Sequence, residues 1–311
     1  MSLVEILRAG PLTTVQDLGR TAWQDRGISR CGAMDDVALA WGNLLVGNDA
    51  AAAGLEFTLG PATLRFDADC CIALTGTDAD ASLDGRPLRP WWRHLVRAGQ
   101  TLKLAAPRER MRSYLAIAGG IALPPALGSL STDLKAGFGG LGGRALRDGD
   151  QLPLNPPATL PARSIGIRPP DWDATVRVLP GPEHEEFSAA AREALWGADW
   201  QLTPQSNRMG YRFAGPKLER EHGGELASHG VLPGVIQVPP AGQPIVLMAD
   251  AQTTGGYPKI GVVIRADLWK LAQLRLGASL RFVPCSVDEA RDALRQRQAT
   301  LDQLKVALHD R

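Results

Sequence analysis

The segment Ala249-Asp250-Ala251-Gln252-Thr253-Thr254-Gly255-Gly256-Tyr257-Pro258-Lys259 is the most informative stretch of the sequence, carrying polar side chains of many kinds. It follows an unbroken apolar run, Pro244 to Met248. A carboxylate, an amide, two hydroxyls, a phenol and an ammonium are thus released at the end of a buried strand. The glycine pair permits close backbone approach, and Pro258 stops backbone pairing on its side. This composition suits a loop that grips a small polar ligand.

Ser206-Asn207-Arg208-Met209-Gly210-Tyr211-Arg212 is a second candidate. Ser206 and Asn207 offer donors and acceptors, and Arg208 a planar fork suited to carboxylate or phosphate. The competing reading is a charged hairpin with Arg208 paired inside its own fold. His229 stands between Ser228 and Gly230, just before the strand-like run Val235-Ile236-Gln237-Val238. Gly137 to Arg144 contains G-x-G-x-x-G, but no buried strand leads into it and no helix can follow, so a dinucleotide site is rejected. Its glycine N–H groups with Arg144, beside Ser131, form either an anion-binding nest or a plain loop. No metal site is expected: His94, His184, His222, His229 and His309 are scattered without ligand spacing.

These residues need elements to hold them. Ala62–Phe66 and 101–104 alternate as strands, while 71–74 and 114–118 are more continuously apolar. Helices are expected from Asp35 or Asp36 to Gly47, over about 183–196, over about 266–274, and from Val287 onward. The last carries Val287, Leu294, Leu301 and Leu308 at sevenfold spacing, an amphipathic helix that packs. A Gly turn feeding an alternating strand recurs at 95–104, 145–154 and 273–282. The recurrence implies two related β-barrel-like halves, 1–155 and 171–311, joined by a Pro-rich linker over 156–170.

Lys+Arg (34) balances Asp+Glu (33), so no net field draws the chain to nucleic acid or membrane. Four cysteines lack any C-x-x-C pattern, and no apolar run approaches 20 residues. A reduced, cytoplasmic protein is expected.

Several stretches together resemble one family: Thr13 to Arg20, Cys31-Gly32-Ala33-Met34-Asp35, Leu45 to Asn48, Ala116 to Ile121, Ser131-Thr132-Asp133, Ser206 to Tyr211, and Gly234 to Lys259. It is the allophanate hydrolase subunit 2 family, also called the biotin-dependent carboxyltransferase family. The resemblance implies a mainly β fold of two cyclophilin-like β-barrels with small flanking helices. Ser228-His229-Gly230 and the uninterrupted Gln243 to Leu247 look closest to its ATP-dependent 5-oxoprolinase branch. That branch implies opening of the lactam of 5-oxo-L-proline to L-glutamate. It also implies two partner proteins, the A subunit together with a homologous B subunit related to allophanate hydrolase subunit 1, and ATP held at or with a partner. The chain has no biotin-attachment Met-Lys-Met. Other family roles are antagonism of a kinase inhibitor by partner binding, and carboxyl transfer to urea or a related amide.

On the 5-oxoprolinase expectation, Arg208 takes an anionic group and Lys259 the phosphoryl oxygens. Asn207, Gln252 and Thr253 orient the amide, and Asp250 or His229 moves the proton. Ser206, Gln237, Thr254, Gly255, Gly256 and Tyr257 complete the expected binding set.

Overall fold

The computed structural model describes residues 2–309 except 160, 162, 222, 223 and 225, with His309 described by its backbone alone. Leu160 and Ala162 of the expected linker and His222 therefore lie outside the described residues. The fold is mainly β. It divides into two compact units: Met1–Arg20, Cys31–Asp171 and Thr300–Arg311 in the first, Thr21–Arg30 and Trp172–Ala299 in the second.

In the first unit, two antiparallel sheets enclose one apolar core. The six-stranded sheet runs Gln151–Leu154, Ser2–Arg8, Ala62–Phe66, Thr101–Leu104, Ser82–Leu83, Arg86–Pro87. The five-stranded sheet runs Leu12–Gln16, Gly54–Thr58, Arg112–Ile117, Cys70–Gly76, Trp92–Val96. Alternation along each strand sends Val4, Leu64, Ile72, Leu102 and Leu115 into the shared core. Adjacent residues face opposite ways, so Cys70 joins this core while Cys71 packs with Leu45, Ala73 and Ala116 on the outer face. Burial pushes the Cys70 thiol up to about 12 and the Cys71 thiol to about 11, so both stay protonated at neutral pH. The helix Asp36–Leu45 is capped by Asp35, whose carboxylate accepts the Ala38 N–H at 2.8 Å.

The second unit is a closed seven-stranded barrel. Its order is Thr175–Pro180, Lys259–Val263, Val235–Gln237, Ile245–Leu247, Gly210–Ala214, Trp200–Leu202, Ser279–Pro284. The barrel closes through a parallel pairing of Thr175–Pro180 with Ser279–Pro284. Trp200 and Phe213 both pack on Phe282, with ring centroids 6.1 and 5.8 Å away, and all three are buried. The helix expected over 183–196 is two elements: a short 3-10 turn at His184–Glu186, then Ala189–Gly197. Ser188 separates them because its side chain caps the second by accepting the Ala191 N–H. The last helix, Val287–His309, runs as its spacing predicts; its final turns from Thr300 belong to the first unit, where Leu308 packs on the Leu45 and Cys71 cluster. Among the described residues no helix is long and apolar enough to cross a membrane.

The three recurring sequence patterns are one turn used three times. Gln100, Asp150 and Ala278 each donate their N–H to the carbonyl three residues back, on Arg97, Arg147 and Arg275. The intervening Gly99, Gly149 and Gly277 sit at φ of 84, 86 and 84°. A Cβ at Gly277 would touch nothing, so Gly277→Ala isolates the backbone cost. Urea unfolding should show a loss of about 1–2 kcal/mol; an unchanged midpoint would mean the turn is not held.

Candidate functional site

The site is built on two neighbouring barrel strands. In the antiparallel pairing of Val235–Gln237 with Lys259–Val263, Gln237 stands opposite Lys259. Paired residues share a face of the sheet. Gln237 is 2% exposed and Lys259 3%. Among the described residues, neither the Gln237 Nε2 nor the Lys259 Nζ has a hydrogen-bond partner. The Glu183 carboxylate lies 3.9 Å from Nζ and accepts the Lys259 backbone N–H at 2.8 Å.

Glycines set the walls. The strand Thr175–Pro180 leads into Gly181, whose N–H donates to the Ile260 carbonyl at 3.0 Å. A Cβ at 181 would collide with the Lys259 carbonyl. Glycine there lets the chain pass closely enough to deliver Glu183. On the other side Gly255 abuts the Gln237 amide, where a Cβ would lie 2.5 Å from Nε2. Thr254–Gly255 pairs in turn with His229–Gly230, His229 opposite Gly255. Thus Gln237, Lys259, Gly255, Thr254 and His229, separated in sequence, come together in one unit, with Glu183 added. His229 is exposed, its Nδ1 3.2 Å from the Ala227 carbonyl.

Arg208 and Asp250 are turned to each other rather than toward a ligand. Arg208 Nε and Nη2 donate to the two Asp250 oxygens at 2.9 and 2.8 Å, both residues buried. Register is the cause. Gly210 pairs with Leu247 on neighbouring strands, so the residues just beyond them in each loop converge. Asp250 N–H also donates to the Arg208 carbonyl at 2.9 Å. The expected ligand fork and proton carrier thus form an internal ion pair. Ser206 and Asn207 shape the hairpin: Ser206 Oγ accepts the Arg212 N–H, and Asn207 Oδ1 accepts the Met209 N–H.

The rest of the loop divides. Gln252 and Thr253 are half-buried, and the Thr253 carbonyl accepts the Val231 N–H. Gly256 and Tyr257 line a groove of about 810 Å³ with Leu226, Val238, Pro239 and Pro258. Tyr257, 48% exposed, forms an aromatic wall of it.

At the stretch read as either an anion nest or a plain loop, Ser131 and Arg144 pair internally. Ser131 Oγ donates to Asp17 at 2.5 Å, and the same carboxylate accepts from Ser129 Oγ and the Leu130 N–H. Arg144 donates both terminal nitrogens to Asp150 at 2.7 and 2.8 Å, holding that carboxyl below its ordinary range. These anions belong to the chain itself. Among the described residues no three of His, Cys, Asp and Glu converge as metal ligands do.

The chain is thus mainly β, with a closed barrel whose strands carry buried donors that lack a hydrogen-bond partner among the described residues. The chain belongs to the carboxyltransferase domain family (subdomain A and B), whose model matches residues 26–284. It is 52% identical to the C subunit of 5-oxoprolinase from Escherichia coli K12, covering 99% of both chains. The corresponding protein of Haemophilus influenzae is 45% identical over 97% of this chain and 98% of its own. The crystal structure of the Kluyveromyces lactis urea amidolyase matches 97% of this chain with a TM-score of 0.90 at 30% identity. This chain spans 20% of that larger protein.

Proposed function

We propose that this chain is the C subunit of an ATP-dependent 5-oxoprolinase, which opens the lactam of 5-oxo-L-proline to L-glutamate. The observation that carries the reading is end-to-end 52% identity with a protein named for that role. A lactam carbonyl resists water because nitrogen donates into it, and coupling to ATP supplies the activation by phosphorylating the amide oxygen. Nucleotide would be held at or with a partner, either the homologous B subunit or the A subunit. The contribution of this chain is positioning and charge compensation.

In this reading Lys259 faces the phosphoryl or carbonyl oxygens and Gln237 donates to the same ligand. Two such donors are unmade in the free chain. A buried donor without an acceptor costs about 1–3 kcal/mol, a cost that substrate oxygen would relieve. Glu183 fixes the lysine backbone and keeps its charge compensated from the side. His229, exposed beside Gly255, is the proton-transfer group, because Asp250 is committed to Arg208. That ion pair instead anchors the start of the loop.

Carboxyl transfer to an amide is a second reading, favoured by the urea amidolyase likeness. Reconstitution separates the two. Purified companion subunits should release glutamate and hydrolyse ATP in response to 5-oxoproline only when this chain is added. Full turnover without it, or incorporation of bicarbonate in its place, would overturn the proposal.

A further inference from the structure

Within the second unit the N-terminal half of the last helix leaves a groove of about 550 Å³ against the barrel. Its walls are aliphatic, from Leu179, Val262 and Leu268 on the barrel side to Leu294 on the helix. Arg30, Arg265 and Arg291 also line it, and no aspartate or glutamate does among the described residues. At its rim Leu232 is 60% exposed, Val287 52% and Leu294 44%. Large aliphatic side chains left in water around a concave surface, rimmed by polar groups, mark a face that another molecule covers. Contact centres of that kind are enriched in arginine and poor in carboxylates.

Charge narrows the occupant. A basic segment would meet three guanidinium groups, whereas carboxylates would meet complementary charge. The Arg291–Asp288 pair, 3.4 Å apart and mostly exposed, is too weakly held to remove that bias. A second copy of this chain fits poorly, since a twofold contact would bring the same arginines together.

We propose that this groove docks a segment of a companion protein, one that presents aliphatic side chains flanked by carboxylates. The inference rests on the reading that the chain works in an assembly of several different subunits. The test is binding of the purified companion subunits to the full chain and its variants, at low and high salt. Leu294→Glu should weaken binding at least about tenfold. The double change Arg265→Glu with Arg291→Glu should weaken it comparably at low salt and less at high salt, where screening shortens the charge interaction. Leu294 and Arg291 are exposed, and the Arg265 side chain has solvent access, so unfolding midpoints should match the parent chain. Parent-like binding by both variants would overturn the docking site and leave the functional reading standing. Failure of the parent chain to bind any companion would overturn both. Self-association that the same variants abolish would assign the groove to a second copy and overturn the proposal.

Discussion

Gln237→Leu should leave the chain as stable as before, or slightly more so, while turnover of the reconstituted enzyme falls about 10²–10³-fold. The two halves of that expectation share one cause. The Gln237 Nε2 is buried without an acceptor among the described residues, so the free protein gains nothing from it. Replacing an unmade polar group by an apolar one of similar shape is neutral or favourable to folding. Catalysis is different if the donor meets its acceptor only when substrate is present. Lys259→Met should lower kcat by a similar factor, with some loss of stability because Glu183 then keeps its charge beside an apolar neighbour. Thermal unfolding and steady-state kinetics on the same preparations check both. A Gln237→Leu variant that loses stability and keeps kcat would reverse the assignment and make the amide structural.

Arg208→Ala should act the opposite way, through stability first. Its partner Asp250 is buried and would remain as an unpaired carboxylate. Breaking a buried pair from one side costs about 3–5 kcal/mol. Replacing both partners with apolar residues, as in Arg208→Met with Asp250→Leu, should recover most of that loss. A double-mutant cycle measures the coupling. If Arg208→Ala unfolds at the parent denaturant midpoint and yet abolishes turnover, the guanidinium serves a ligand and the ion pair is incidental. Both parts of this prediction follow from strand register: Gly210 opposite Leu247 fixes where the two loops meet.

What could be read in the sequence was local. The turns at Gly99, Gly149 and Gly277 were legible because positive φ selects glycine, and each feeds a strand with period-two alternation. The cap at Asp35 and the helix from Val287 are local patterns of the same kind. Ser188 carried an equally local signal, a hydroxyl three residues before a helical N–H, which composition alone concealed within an apparently continuous helix. The polar loop after Met248 was legible as a loop because the apolar strand before it opens there into many hydrogen-bonding groups. Which of its groups face a ligand was not. Asp250 and Arg208 lie 42 residues apart, and only the pairing of their strands shows that they satisfy each other. Glu183 went unrecognised for the same reason: its partner Lys259 is 76 residues away. The signal for it was Gly181-Pro182 closing a strand, a close approach whose beneficiary no sequence pattern names. Likewise the sequence left Ser131 and Arg144 open between an anion nest and a plain loop, because their partners Asp17 and Asp150 are not named by any local pattern.

Everything chemical here depends on Lys259 and Gln237 holding back their N–H groups for a visiting oxygen. A structure of the assembled enzyme soaked with 5-oxoproline would test this most directly. It should place a substrate or phosphoryl oxygen about 2.7–3.2 Å from both Nζ and Nε2. Ligand bound elsewhere, with those two nitrogens still bare, would contradict the account.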